Sequence, residues 1–356
     1  MTLDDLGWTP GFAAAFAPYQ AAGLEPARVS LEHTHIYRVI APGGERLARV
    51  SGKLRHAAAR RADFPAVGDW VAVEPAPAGH EARIRAVLPR ATYFSRRAAG
   101  NPTEEQVVAA NIDVVFLVSG LDHDFNPRRI ERYLVTARES GAAPVIVLNK
   151  SDLVADPEAF VAGVHAIAPG VPVLTVSAKT PASLDALRAQ LTRGRTAALL
   201  GSSGVGKSSI ANGLIGEALL RTHDVRESDS RGRHTTTGRQ LILLPHGGIL
   251  IDTPGMRELQ LWEATEPAAS TFADIAELAT RCRFRDCRHV REPGCAVIAA
   301  AADRTLDAAR LESYRKLQQE QSFLAAQQDE RARIEQKRAG RIGAKALRKR
   351  LKDKGR

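Results

Sequence analysis

The sequence predicts an α/β fold in three parts: a small N-terminal β-barrel, a doubly wound and mostly parallel sheet, and a helical module after it. Three observations carry this. Short β-like runs separated by turn signals crowd into residues 29–92, strongly apolar runs alternate with helical stretches over 93–265, and beyond Pro267 Ala-rich helical sequence surrounds all three cysteines. A length of 356 residues allows two or three domains of about 150 residues, and 44% hydrophobic with 25% charged residues suits large cores.

Residues 1–28 are Ala- and Pro-rich with a few aromatics, an extension expected to pack on something else. The start, MTLDDLGWTPGF, has an acidic pair where a leader would be basic, and no apolar run nears the roughly 20 residues that span a bilayer, so a cytoplasmic protein without membrane contact is expected. In the next segment ARVSLEHTHIYRVIA, ERLARVSG, VGDWVAVEP and EARIRAVLPR are separated by signals such as Pro42-Gly43-Gly44 and Gly68-Asp69. About five short strands so closely spaced predict a closed barrel of the oligonucleotide-binding kind (OB-fold).

The apolar runs of 93–265 are Ile112–Val118, Pro144–Leu148, Val171–Val176, Thr196–Leu200, Leu241–Leu244 and Gly248–Ile251, with helices expected at Arg128–Ser140 and Ser183–Leu191. Such runs suit strands buried on both faces. Past them, Leu306, Arg310, Leu311, Tyr314 and Leu317 recur at helical spacing and predict the buried seam of a helix in a module over 266–330.

GSSGVGKSS, from Gly201 to Ser209, follows a strand-like run and precedes SSIANGLIGEA, the context of a phosphate-binding loop. Gly201, Ser202, Ser203, Gly204, Val205 and Gly206 would present backbone N–H groups to phosphates and Lys207 would reach the β- and γ-phosphates. Ser208, followed by Ser209, would supply a Mg²⁺ ligand. Asn149-Lys150-Ser151-Asp152 follows PVIVL and places the Asp152 carboxylate where guanine offers N1–H and N2–H₂; adenine presents a lone pair at N1 and would lose both bonds. Ser177-Ala178-Lys179, after VPVLTV, can bring a backbone N–H to guanine O6. GTP and GDP are the ligands this set predicts. Asp252-Thr253-Pro254-Gly255 follows GILI, so Asp252 can hold Mg²⁺ through water and Gly255 can sense the γ-phosphate. Between it and the phosphate loop lies RGRHTTTG, where Thr236, with Thr235 as the alternative, would join Mg²⁺ only when the γ-phosphate is present.

A conventional GTPase opens with its phosphate loop and closes with the guanine motif; here the guanine motifs come first, so the sheet is predicted to be circularly permuted. Its sites still converge, because all lie at the carboxyl ends of strands in one sheet.

Cys282-x4-Cys287-x-His289-x5-Cys295 offers three thiolates and one imidazole, a closed set for one structural zinc with no position left for water. Three cysteines in one short stretch also argue against a disulfide framework. Arg281, Arg283, Arg285, Arg288 and Arg291 make this knuckle basic. Residues 331–356 hold twelve basic residues against Glu335 and Asp353, an excess equal to the whole net charge of +10. A polyanion such as nucleic acid is therefore an expected partner.

The barrel-like segment, NKSD, SAK, GSSGVGKSS, RGRHTTT, DTPGMREL and the cysteine cluster together resemble the circularly permuted small-subunit ribosome biogenesis GTPases, the RsgA (YjeQ) family, over nearly the whole chain. The resemblance implies an OB-fold barrel, a permuted GTPase and a zinc domain. It further implies late action on the small (30S) ribosomal subunit and its 16S rRNA, with GTP hydrolysis stimulated by that subunit. The protein is expected to act as a monomer. The alternative is a GTP-regulated RNA-binding protein serving another assembly, such as the large subunit. Met256 stands where many GTPases have a water-orienting glutamine, so slow intrinsic turnover is expected and the water would fall to another group. His234 in the switch loop is the candidate, with Lys207 and Thr236 as the other catalytic residues.

Overall fold

Alternating inward and outward side chains build the first five strands, β1 (Glu25–His33), β2 (Ile36–Ala41), β3 (Gly44–Val50), β4 (Trp70–Glu74) and β5 (Ala82–Val87). In the computed structural model, which describes residues 1–33, 36–77, 80–98, 101–216, 239–252, 271–319 and 322, they pair in the order β1-β2-β3-β5-β4. β4 then returns to β1, so the barrel closes. Ala27, Val29, Tyr37, Val39, Val71, Val73 and Ile84 fill its interior.

β4 is buried on both sides, because Val71 and Val73 face the barrel interior while Trp70 and Ala72 enter a second core. There the N-terminal extension meets the barrel. Its helix α1 (Pro10–Ala21) is capped by Thr9, whose hydroxyl accepts from the Phe12 N–H, and starts with proline, whose missing N–H costs nothing at a first turn. The ring of Trp8 lies 4.6 Å from that of Trp70 and the ring of Phe12 lies 6.0 Å from it. Arg193 Nε donates to Asp5 Oδ1 at 2.5 Å and its Nη2 to Thr2 Oγ1 at 3.3 Å, tying the first residues to the 192–195 stretch. A short helix α2 (Gly52–Ala57), capped by Ser51, follows β3.

Two arginines pin the wall. Arg28, 1% exposed, donates to the carbonyls of Gly68, Leu6 and Asn111, and burial pulls its pKa down to about 10, which leaves it a cation at neutral pH. Arg90 grips the fully buried Asp69 with Nε at 2.8 Å and Nη2 at 2.7 Å, while the Ala66 N–H also donates to that carboxylate at 2.8 Å. A hairpin absent from the sequence reading, β6 (Tyr93–Ala98) with β7 (Asn101–Ala110), leads out of the barrel. Pro102 and the Glu104-Glu105 pair mask its strand character.

The α/β sheet comprises β8 (Val114–Gly120), β9 (Ala143–Asn149), β10 (Val173–Thr175), β11 (Thr196–Leu200), β12 (Gln240–Leu243) and β13 (Ile249–Asp252). Its order is β10-β9-β8-β11-β13-β12, parallel throughout except for β12 against β13. Helices α3 (Pro127–Ser140), α4 (Pro157–Ile167), α5 (Asp185–Gln190) and α6 (Lys207–Ile215) accompany it. Period-two alternation persists inside these apolar strands: Val115, Leu117, Ile146 and Leu148 face one core, and Val114, Phe116, Val118, Val145 and Val147 face the other.

Barrel and sheet are one compact unit. Leu31 of β1 pairs with Gln240 of β12, and Leu6, Trp70, Val115 and Ile251 share a core. The cysteine region belongs to a second unit. Its helices are α7 (Ala273–Ala279), α8 (Ala296–Ala302) and one over 308–319. Arg310, Leu311 and Leu317 are buried on this last helix, as the helical spacing predicts, with Tyr314 half-buried beside them, whereas Leu306 is buried in the turn that precedes the helix. Arg310 holds Asp274 through Nε at 2.8 Å and Nη2 at 2.9 Å. Among the described residues no helix is long and apolar enough to cross a membrane.

Asp69→Asn is expected to cost about 3–5 kcal/mol of unfolding free energy, because it leaves the Arg90 guanidinium half-buried without its counter-charge. Urea unfolding of the variant within 1 kcal/mol of the wild type would contradict this.

Candidate nucleotide and metal sites

In the α/β sheet the chain steps outward from β8 to β9 and β10, then returns to lay β11 on the other side of β8. The crevice outside the carboxyl ends of these two neighbours is the switch point where such sheets bind ligands. The loop 201–206 leaves β11 at this point. A Cβ on Gly201 would run into the Val118 carbonyl of β8, and one on Gly206, which has φ +95°, into Asn149 Nδ2. Val205 is buried and anchors the loop, while Ser203, Gly204, Ser208 and Ser209 are exposed around the start of α6. Lys207 Nζ donates back across the loop to the carbonyls of Gly201 at 2.7 Å and Ser202 at 2.6 Å.

Asn149 ends β9 only 2% exposed and uses both ends of its carboxamide: Nδ2 donates to the Val205 carbonyl at 2.8 Å, and Oδ1 accepts from the Ala178 N–H at 3.0 Å. One side chain thus ties the phosphate loop to the Ser177-Ala178 turn. Lys150 follows in the left-handed region at φ +65°, and its Nζ donates to Asp122 Oδ2 at 2.6 Å. Lys150 holds the Asp122 carboxyl below the usual carboxylate range. Asp152 accepts from Ser177 Oγ at 2.7 Å and Lys179 Nζ at 2.9 Å. The Lys179 bond first, then the Ser177 bond, lowers its pKa, so the carboxylate is ionised and acceptor-only at neutral pH. The Ser177 N–H donates to Ser183 Oγ at 3.1 Å.

The structure adds a group that the sequence reading missed. Arg129, on the first turns of α3, donates from Nη1 to Asp124 Oδ2 at 2.6 Å and to Ser202 Oγ at 2.8 Å, while Nη2 donates to Asp124 Oδ1 at 3.1 Å. A phosphate-loop hydroxyl is thereby clamped to the segment after β8. The signal was the acidic pair Asp122 and Asp124 directly after an apolar strand. β13 runs parallel to β11 with Ile251 opposite Ala198, so Asp252 ends at the edge from which the phosphate loop leaves. His234, Thr235, Thr236, Gly255 and Met256 lie outside the described residues, as does the basic stretch 331–356.

In the second unit the ligand atoms of Cys282, Cys287, His289 and Cys295 all lie within 4.8 Å of one another. His289 Nδ1 is 3.6 Å from Cys282 Sγ and 3.4 Å from Cys295 Sγ, and those two sulfurs are 3.8 Å apart. A tetrahedron with Zn–S of about 2.3 Å and Zn–N of about 2.0 Å has edges of about 3.8 Å and about 3.5 Å, so the set fits one zinc. Desolvation, with the neighbouring sulfurs of Cys295 and Cys282, pushes the Cys287 thiol up to about 11, a penalty that a divalent cation reverses. Burial lowers the His289 pKa, which favours the neutral, ligating imidazole. Tyr314 packs on the His289 ring, and Arg315 Nη2 donates to the His289 carbonyl.

The RsgA GTPase family model matches residues 87–262. A protein of Opitutus terrae named small ribosomal subunit biogenesis GTPase RsgA is 51% identical over 338 residues, covering 92% of each chain. Among solved structures, YjeQ from Thermotoga maritima aligns with a TM-score of 0.62 at 28% identity, over 84% of this chain and 98% of its own. YloQ, described as a circularly permuted GTPase, aligns with a TM-score of 0.60 at 25% identity, over 84% of this chain and 95% of its own.

Metal analysis of the purified chain is expected to find one zinc, lost in Cys287→Ala together with cooperative melting of the cysteine region. A variant that retains a full equivalent of zinc would contradict the four-ligand assignment.

Proposed function

The chain belongs to the RsgA GTPase family, and from that premise we propose that it hydrolyses GTP between β8 and β11 to time the late maturation of the small ribosomal subunit and its own release. The observation that most supports this site is Asn149, whose carboxamide joins the phosphate loop to the second guanine turn, so that both halves of one nucleotide would be met by one preorganised edge.

At that edge the Asp152 carboxylate, held ionised by Lys179 and Ser177, would accept from guanine N1–H and N2–H₂. Guanine O6 would share the Ala178 N–H with Asn149 Oδ1. Lys207 would exchange two carbonyls of its own loop for β- and γ-phosphate oxygens, and the N–H groups at the start of α6 would face the same anion. Ser208, Asp252 and Thr236, or Thr235 in its place, are the residues that would hold Mg²⁺, which neutralises phosphate charge when bound. Gly255 would sense the γ-phosphate. His234 is the residue proposed to orient the attacking water, since Met256 cannot hydrogen-bond usefully.

The barrel, the zinc-bound knuckle and the basic stretch 331–356 would hold 16S rRNA, whose phosphates match their charge. The protein is proposed to act as a cytoplasmic monomer.

Asp152→Asn turns an acceptor into a donor opposite guanine N2–H₂ but suits xanthine, which carries a carbonyl there. GTP affinity should fall about a hundredfold or more while XTP binding appears. Unchanged GTP affinity would remove Asp152 from the base site. Hydrolysis should be slow for the protein alone, strongly stimulated by small but not large ribosomal subunits, and abolished in Lys207→Ala. Stimulation by large subunits only would favour service to another assembly.

A further inference from the structure

The loop that carries the cysteine–histidine cluster also holds two large apolar side chains out in water, Phe284 at 42% exposure and Val290 at 51%. Their exposure follows from the ligand cluster. Cys282 and Cys287 turn inward toward His289 and Cys295, and the Arg283 N–H donates to the Gly294 carbonyl at 3.1 Å, which leaves Phe284 on the outside of a pinned turn. Glu292 pins the other end: its carboxylate accepts from the N–H groups of Arg288 and Val290, each at 2.8 Å, and of Arg291 at 3.0 Å. Burial of such a ring is favourable, and a loop pinned at both ends that withholds it from the core leaves it available to a partner.

The surroundings narrow what that is. Arg283, Arg285, Arg288 and Arg291 are all exposed on the same loop, against Asp286 and the backbone-bound Glu292, and the Arg283 guanidinium lies 5.7 Å from the Phe284 ring centre. Protein-binding apolar patches are poor in charge at their centre, whereas this ring has a guanidinium beside it on an arginine-rich loop. An exposed aromatic ring beside a guanidinium, on a loop rich in further arginines, matches an unpaired nucleobase with its flanking phosphates, and a duplex would keep its base faces stacked away.

We propose that Phe284 is a stacking platform for an unpaired base of single-stranded RNA, with Arg283, Arg285, Arg288 and Arg291 taking the adjoining phosphates. This rests on the RNA-binding reading above and gives it a residue and a strand state.

The test uses full-length protein carrying Phe284→Ala, Phe284→Leu or Phe284→Trp, each first checked for one zinc per chain. Fluorescence anisotropy then measures binding of a labelled single-stranded ribo-oligonucleotide and of the same strand annealed to its complement. Ala and Leu should weaken single-strand binding about tenfold or more, Trp should retain it, and duplex binding should be unmoved. GTP hydrolysis without ribosomes should be equal in all four proteins. Two results would overturn the platform: single-strand binding unchanged in Phe284→Ala, or Leu serving as well as Trp, which would mark a generic apolar contact in place of stacking. If small subunits stimulate the wild type but the variants bind RNA equally, only the platform fails. If small subunits neither bind nor stimulate the wild type, the parent reading fails.

Discussion

Asn149 commits both ends of its carboxamide to the protein's own backbone, and the nucleotide edge takes its shape from that commitment. A buried amide left without partners costs about 1–3 kcal/mol, so the phosphate loop and the Ser177-Ala178 turn are held at the reach of one side chain. The same packing explains the glycines. Gly206 is bare because Asn149 Nδ2 occupies the place of a Cβ, and Gly201 because the Val118 carbonyl does. Both clashes come from neighbouring strands, so they would exist whatever the order of the motifs along the chain. This is how a permuted sequence keeps an unpermuted site.

Around this edge lies a unit with little room for a hinge between barrel and sheet. Trp70 faces Trp8 and Phe12 on the outside of the barrel, Arg28 gathers three backbone carbonyls from the extension, the barrel and the entry to β8, and one core runs from Leu6 to Ile251. The strand that begins at Gln240 enters the sheet beside Leu31 of the barrel. Any rearrangement that nucleotide binding imposes on this strand is therefore felt first where barrel and sheet meet.

Much of this was legible in the sequence where chemistry sits in short, ordered motifs. NKSD, SAK and GSSGVGKSS picked out residues that the fold brings to one sheet edge, and the Cys282–Cys295 spacing picked out four side chains that the fold gathers within 4.8 Å, because each motif needs particular residue types at fixed intervals. What stayed hidden depends on contacts between distant residues. Asn149 reads as a base-binding residue, and only the fold makes it a tie to Val205. Arg129 and Asp124 read as helix-start charges until α3 is laid beside the phosphate loop. Arg28 looks like a solvated strand residue, since nothing local tells that Leu6, Gly68 and Asn111 will converge on it. The N-terminal helix carried too weak an apolar stripe to name its seat, and the aromatics that find it, Trp8 and Phe12, act through a tryptophan in the barrel, with Phe16 packed on Trp8.

The stretch 192–195 joins α5 to β11, the place where a chain in conventional motif order would have its two ends. Here it is occupied, because Asp5 and Thr2 hold Arg193. The order of the motifs and the docking of the first residues are thus coupled: a cut between α5 and β11 would also loosen the ion pair and hydrogen bond that hold residues 2–5 there.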